Sequence, residues 1–315
     1  MSASPHQAES VLRRLEWTVV RRLDGLLQGD YRTLFRGMGL DLADLRAYQA
    51  HDDVRHIDWN VTARTGEPHV RVYNEERELT AWFLLDLSPS VDFGSGEISK
   101  RQVLAEFTAV LARLLTRRGN MAGAILFNGI DEFVVPPRGG RRHVLHLLAK
   151  VLTHPRLLRA PETDLGAFLG RSLKALKRRS LVFVLSDFIS RPGWERALAE
   201  LSRHHEVVAV RLFDPLEGAL PNLGMMLIED AESGEQLFVD TADRGFRRRF
   251  LAEAERREAA LYDAFGRAGT DVLELSTADD LLDAILRFAD LRRMGAGLGG
   301  GLPGRLSQNS TGAGI

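Results

Sequence analysis

Between residues 81 and 276 short apolar runs repeatedly alternate with longer segments of helical spacing. AWFLLD (81–86), AGAILF (122–127), LVFVLSD (181–187), VVAVRLFD (207–214) and DVLELS (271–276) have the length and the Val, Leu and Phe content of strands buried on both faces. EFVVP (132–136) reads as a further strand, antiparallel to 122–127. Helical periodicity marks 98–118, 141–153, 164–177, 193–203, 243–267 and 278–293. Met226–Glu229 and Gln236–Asp240 flank Glu232-Ser233-Gly234-Glu235, a hairpin signal. Strands alternating with helices predict an α/β fold: a mostly parallel sheet with helices on both faces.

The rest of the chain reads differently. Residues 8–27 carry apolar positions at helical spacing with charges between them, an amphipathic helix. Residues 28–80 are dense in Gly, Asp, Arg and His and predict loops and short strands, His69–Tyr73 among them. We therefore divide the chain into an amino-terminal helix and strand extension (1–80), an α/β domain (81–293) with a hairpin insertion near 225–240, and a Gly-rich tail (294–315) too poor in apolar residues to order itself.

Composition narrows the function classes. The 315 residues include 42 basic and 43 acidic side chains, a formal net charge of −1, which argues against a dedicated nucleic-acid binder. With no cysteine, disulfides, thiolate metal sites and thiol catalysis are excluded. Arg13, Arg14, Arg21 and Arg22 interrupt any leader-like apolar run near the start, and no stretch reaches the roughly 18 apolar residues of a membrane span. The expectation is a cytoplasmic protein without a membrane span.

Chemistry gathers where strands end. In open α/β sheets ligands bind beyond the carboxyl ends of the strands, at the point where strand order reverses. One run ends in Asp86-Leu87-Ser88-Pro89-Ser90 and another in Ser186-Asp187, and Glu162-Thr163-Asp164 precedes a helix. If those strands are neighbours, Asp86, Ser88, Ser90, Thr163 and Asp187 bring five hard oxygens to one crevice. Such donors suit Mg²⁺, Mn²⁺ or Ca²⁺ and not zinc or copper. Two carboxylates roughly neutralise the ion and leave a position for an acidic oxygen from a partner.

These residues resemble a known pattern. Asp86-Leu87-Ser88-Pro89-Ser90 is similar to the D-x-S-x-S metal-ion-dependent adhesion site of von Willebrand A domains, with Thr163 in the place of its lone threonine and Asp187 in that of its distal aspartate. Arg46-Ala47-Tyr48, Asp52-Asp53-Val54-Arg55-His56-Ile57-Asp58-Trp59 and Ala63-Arg64 resemble the signature of the bacterial family called domain of unknown function 58, as do Asp214-Pro215-Leu216-Glu217 and Pro221. The resemblance covers roughly residues 30–292; His51 departs from it, standing where the family usually has glycine. It implies a von Willebrand A-like fold and a MoxR-type AAA+ ATPase as partner. With that partner it implies a role in assembling, activating or inserting metal into other protein complexes, on a client offering Asp or Glu. Many family members carry amino-terminal membrane helices, which this sequence lacks.

Plainer roles compete at each position. Asp86 and Asp187 suit helix caps after strands, and Thr163 suits the cap of 164–177. Asp52, Asp53, Arg55, Asp58, Trp59 and Arg64 read first as a packed ion-pair network anchored by Val54, Ile57 and Trp59, and second as a partner surface. His143 and His146 lack the glutamate of a zinc-protease motif, and His204-His205, Lys177-Arg178-Arg179 and Arg247-Arg248-Arg249 read as solvated helix faces or ends. The function class set against binding is a metal-dependent hydrolase or phosphotransferase using Asp86. Against it stand Ser88, where a D-x-D nucleophile motif has its second acid, and the absence of a P-loop.

Overall fold

A computed structural model describes residues 5–26, 44–49, 54, 57–72, 79–157, 160–229 and 234–295. Asp52, Asp53, Arg55 and the Gly-rich end of the chain lie outside the described residues. In chain order the elements begin with α1 (Pro5–Leu15), a π turn (Glu16–Val20) and α2 (Arg21–Leu26). β1 (Asp44–Ala47), α3 (Trp59–Thr65) and β2 (His69–Val72) follow. The main domain runs β3 (Thr80–Asp86), a 3₁₀ turn (Pro89–Asp92), α4 (Lys100–Thr116), β4 (Met121–Phe127), β5 (Glu132–Arg138), α5 (Arg141–Thr153), α6 (Leu165–Ala175) and β6 (Leu181–Ser186). It continues with α7 (Trp194–His204), β7 (Glu206–Phe213), α8 (Pro215–Gly218), β8 (Met225–Glu229), β9 (Gln236–Asp240), α9 (Arg244–Ala268), β10 (Asp271–Ser276) and α10 (Leu281–Gly295).

Six strands form the central sheet in the order β10-β7-β6-β3-β4-β5, parallel except for β5, which pairs antiparallel with β4. Renumbered within the sheet this is the doubly wound order 3-2-1-4-5-6, whose switch point lies between β3 and β6. Alternation along each strand builds two cores. Phe83, Leu85, Phe183, Leu185, Val208 and Val210 face α1, α4, α5 and α10. Leu84, Val182, Val184 and Ala209 face α6, α7 and α9. Each buried Leu, Val or Phe contributes about 1.5–3 kcal/mol of transfer free energy, so the inner strands β3, β4, β6 and β7 are held from both sides. This is the von Willebrand A-like class expected from the sequence.

The amino-terminal helix joins the first core and is no appendage. Leu12, Leu15, Val20 and Leu23 are buried in it. Arg113 of α4 donates to Glu16 at 2.6 Å, and Arg141 of α5 donates to Glu9 at 2.8 Å and to Glu16 at 3.2 Å. The single helix read over 8–27 is broken by the π turn, a local change of hydrogen-bond register that hydrophobic periodicity does not display.

β1 and β2 pair as a separate antiparallel ribbon. At the far edge of the main sheet, β5 carries Pro136 and Pro137 beside a bulge opposite Ala122–Ala124. Position 123 must be glycine there, because a Cβ would stand 2.9 Å from the Pro137 nitrogen. β8 and β9 form a hairpin whose Met225, Leu227 and Phe238 are exposed. Among the described residues no helix is long and apolar enough to cross a membrane.

Candidate metal centre

β3 and β6 are hydrogen-bonded neighbours in register Leu85↔Leu185, so Asp86 ends its strand beside Ser186, with Asp187 one residue further. The carboxylates read from sequence as facing one crevice thus lie on either side of the switch point. Asp86 is fully buried. Its Oδ1 accepts from the Ser88 amide at 3.0 Å, and its Oδ2 accepts from the Ser186 hydroxyl at 2.7 Å. The Ser88 and Ser90 hydroxyls lie 3.2 Å apart, both buried, held by the 3₁₀ turn that Pro89 starts. Neither Asp86 nor Asp187 caps a helix; each accepts from the amide two residues on, Asp187 from Ile189 at 3.0 Å.

Thr163 is buried, and its carbonyl accepts from the Ser190 hydroxyl at 2.8 Å and the Arg191 amide at 2.9 Å. Those bonds bring the Thr163 segment onto the loop that carries Asp187. The helix-cap role open to Thr163 belongs to Asp164, which accepts from the Ala167 amide at 2.8 Å.

The loop after β6 is unusually constrained. Phe188 has φ of 57°, a conformation costly for a bulky residue. Its ring packs 5.0 Å from Trp194 and edge-on at 4.8 Å to Phe265, and its amide donates to the Ser186 hydroxyl at 2.9 Å. The aromatic cluster over-determines the backbone, so Asp187 leaves the sheet at a fixed angle. Ser186 ties Asp86 to the turn that follows Asp187, its hydroxyl accepting from the Phe188 amide and donating to Asp86.

Sequence reasoning missed the cation here. Lys100, the first residue of α4, is 1% exposed and donates to Asp187 Oδ2 at 2.8 Å and to Glu217 Oε1 at 2.6 Å. Burial pushes the Lys100 ammonium down, but the charges of Asp187 and Glu217 outweigh it and hold its pKa above the usual lysine value. Glu217 accepts the Asp214 amide at 3.0 Å through its other oxygen, closing a capping box on α8. Asp214 is buried, and it accepts from the Ser95 amide at 2.8 Å and from Thr277 at 2.6 Å. Asp214 and Glu217, singled out in the sequence only as part of a resemblance, thus adjoin the Asp86–Asp187 site through Lys100. Arg101 turns instead to the Leu87 carbonyl at 2.9 Å and to Asp92 at 2.6 Å.

Asp86 is left with hydroxyl and amide donors. Burial, and then the Asp187 charge, push its pKa up to about 6, against the pull of the Ser186 and Ser88 hydrogen bonds. Two carboxylates and two serine hydroxyls at one buried edge, with the Thr163 segment folded against the Asp187 loop, suit a hard divalent cation, and such an ion would relieve the charge on Asp86.

The segment around residues 54–64 differs from its first reading. Trp59 and Val54, expected as apolar anchors, are 69% and 59% exposed, and Arg64 is also exposed. Asp58 is buried and accepts from the Val61 amide at 3.2 Å, stabilising the start of α3. The anchoring falls to Val70, bridged to Ile57, and the aromatic side chain is left outside.

A family model described as "Protein of unknown function DUF58" matches residues 44–260. An uncharacterized protein of Mycobacterium tuberculosis (strain ATCC 25618 / H37Rv) is 36% identical over 289 residues, covering 91% of this chain and 90% of that one. A shorter uncharacterized protein of Mycobacterium avium is 32% identical over 162 residues, 51% of this chain and 95% of that one. Among solved structures, the conserved hypothetical protein BatB from Bacteroides thetaiotaomicron covers 69% of this chain and 99% of its own, with 14% identity and a TM-score of 0.43. The SpRpn10 VWA domain covers 67% and 94%, with 12% identity and a TM-score of 0.38.

Proposed function

The chain belongs to the family described as protein of unknown function DUF58, and from that premise we propose that the carboxyl edge of its sheet is a divalent-cation site through which it binds an acidic side chain of a partner protein. The observation that carries the reading is the pairing of Asp86 and Asp187 across the switch point, with the Ser88, Ser90 and Thr163 segments folded against them. When bound, Mg²⁺ (or Mn²⁺ or Ca²⁺) would supply a hard Lewis-acidic centre for a carboxylate oxygen. The chain's own residues do the rest. Ser186 and the Ser88 amide orient Asp86, the strained Phe188 turn orients Asp187, and the buried turn at Pro89 keeps both serine hydroxyls together. Exposed apolar side chains surround this edge, Phe93 and Ile98 after β3, Ile130 after β4 and Ile189 after β6, and they suit a protein surface better than a small polar ligand.

The same reading makes the chain a binding module and not an enzyme. Its partners are then a MoxR-type AAA+ ATPase and a client protein offering Asp or Glu, with assembly, activation or metal insertion of other complexes as the outcome. Calorimetric titration of Mg²⁺ and Mn²⁺ into metal-stripped protein, beside Asp86→Ala of confirmed fold, tests it. One ion bound by wild type and none by the variant supports the site; equal binding by both overturns it. Phosphoester turnover by clean protein that disappears in Asp86→Ala would instead establish the hydrolase.

A further inference from the structure

Lys100 is placed where two separate considerations disfavour it. It opens α4, and the amino end of a helix is the wrong end for a cation. It is also buried, where a charge is costly unless fully paired. It meets that requirement with two carboxylates. One of them, Asp187, is a residue of the candidate metal centre, and its Oδ1 already accepts the Ile189 amide while Lys100 takes Oδ2. The ammonium therefore sits on the oxygen a divalent ion would need. It also cancels one of the three carboxylate charges gathered there by Asp86, Asp187 and Glu217, so the edge offers an incoming ion less charge than its acids alone would.

Resting on the reading of this edge as a cation site, we propose that Lys100 is a resident cation of that site, which competes with the divalent ion for Asp187 and holds its affinity down. Glu217 is what makes the competition reversible. When a divalent ion takes Asp187, the ammonium keeps its 2.6 Å bond to Glu217 and is never left buried alone. Glu217 also holds the Asp214 amide at 3.0 Å, so metal occupancy is linked to the Asp214–Glu217 corner between β7 and α8. A partner carboxylate restores the charge that Lys100 cancels. Metal and acidic partner should therefore bind together more tightly than either alone.

The test is Mg²⁺ titration into the metal-stripped full chain: wild type, Lys100→Met, Glu217→Gln and the Lys100→Met/Glu217→Gln double variant. The double variant removes the ammonium with one of its carboxylates, so it remains informative where Lys100→Met alone fails to fold. Competition predicts opposite signs. Removing Lys100, alone or with Glu217, tightens Mg²⁺ binding by about tenfold or more, since a like charge within a few ångströms is gone. Glu217→Gln, which leaves the ammonium with Asp187 alone, weakens it. Binding by the Lys100 variants where wild type shows none also supports the proposal. Weaker or unchanged binding in the double variant, with wild type binding, shows that Lys100 merely props Asp187; it overturns the proposal and leaves the cation site standing. No binding in any chain overturns both.

Discussion

Beneath α1, Glu16 faces the guanidinium groups of Arg113 and Arg141, and Glu9 shares the second. At the carboxyl edge, Asp86 faces another carboxylate and receives hydrogen bonds from the Ser186 hydroxyl and from Ser88. The first region is part-exposed and its acids are fully countered, Glu9 and Glu16 by Arg113 and Arg141, with Arg13 also 3.6 Å from Glu9. The second sets buried Asp86 and Asp187 and part-exposed Glu217 around buried Lys100, with buried Arg101 within electrostatic reach of Asp86. A half-exposed balanced network tolerates loss of a member because water replaces it. A buried, unbalanced one is held in place by the fold around it and is favourable only if something else arrives. The difference separates charges that fasten a helix from charges to which the proposed function gives a ligand.

The sharpest way to break the contrast is Lys100→Met. Asp187 and Glu217 would lose their shared cation, and we expect a loss of about 3–5 kcal/mol in urea denaturation of the metal-free protein. A loss comparable to that of a surface pair would place the Lys100 cluster with the α1 seam. Next in size, and of opposite sign, is Asp86→Asn in the presence of chelator. Asp86 has a folded pKa raised to about 6, so its protonated form is the one the fold prefers. Its favourable contribution is complete below the ordinary carboxylate value and vanishes as pH rises through about 6. At pH 7 the asparagine variant should be more stable than wild type by on the order of 2 kcal/mol, a gap that narrows toward pH 5. Destabilisation at pH 7 would show that the site needs its charge even without metal.

Glu16→Gln should cost less, at most about 1 kcal/mol after solvent screening. Its pH dependence runs the other way. Burial resists ionisation of Glu16, but hydrogen bonds from Arg113 and Arg141 prevail and depress its pKa. Wild type therefore holds its advantage above about pH 4 and loses it as acid protonates the folded form. Urea midpoints across pH 3–7 for both variants would expose the two opposite slopes, and parallel slopes would erase the distinction. Smallest of all is Trp59→Ala: its exposure predicts a change within about 0.5 kcal/mol. A large loss of melting temperature would return Trp59 to the packed role first read for it.

Sequence reading reached the fold because β3, β6 and β7 are largely buried on both faces and therefore carry near-continuous apolar runs, Arg211 of β7 being an exception paired with Glu274. It also put Asp86 and Asp187 at the carboxyl ends of two strands, but left open whether those strands were neighbours, which their pairing in the sheet decides. It did not reach Lys100. A lysine opening a helix reads as solvated, and its partners lie 87 and 117 residues away. Nor did it reach Ser186, whose value depends on the register that sets it against Asp86. Trp59 was misread for the converse reason. An aromatic ring among charges reads as an anchor, and spacing alone does not show that it stands 69% exposed.

The prolines at 136 and 137 set a boundary on how this molecule can associate. Together they remove two amide donors from the outermost strand, beside a bulge that already bends it. A foreign strand laid along β5 would meet a gap in the donor row at the prolines and a bend at the bulge, which disfavours lengthening of the six-stranded sheet from that side. Growth into fibrils by that route is discouraged at the same stroke.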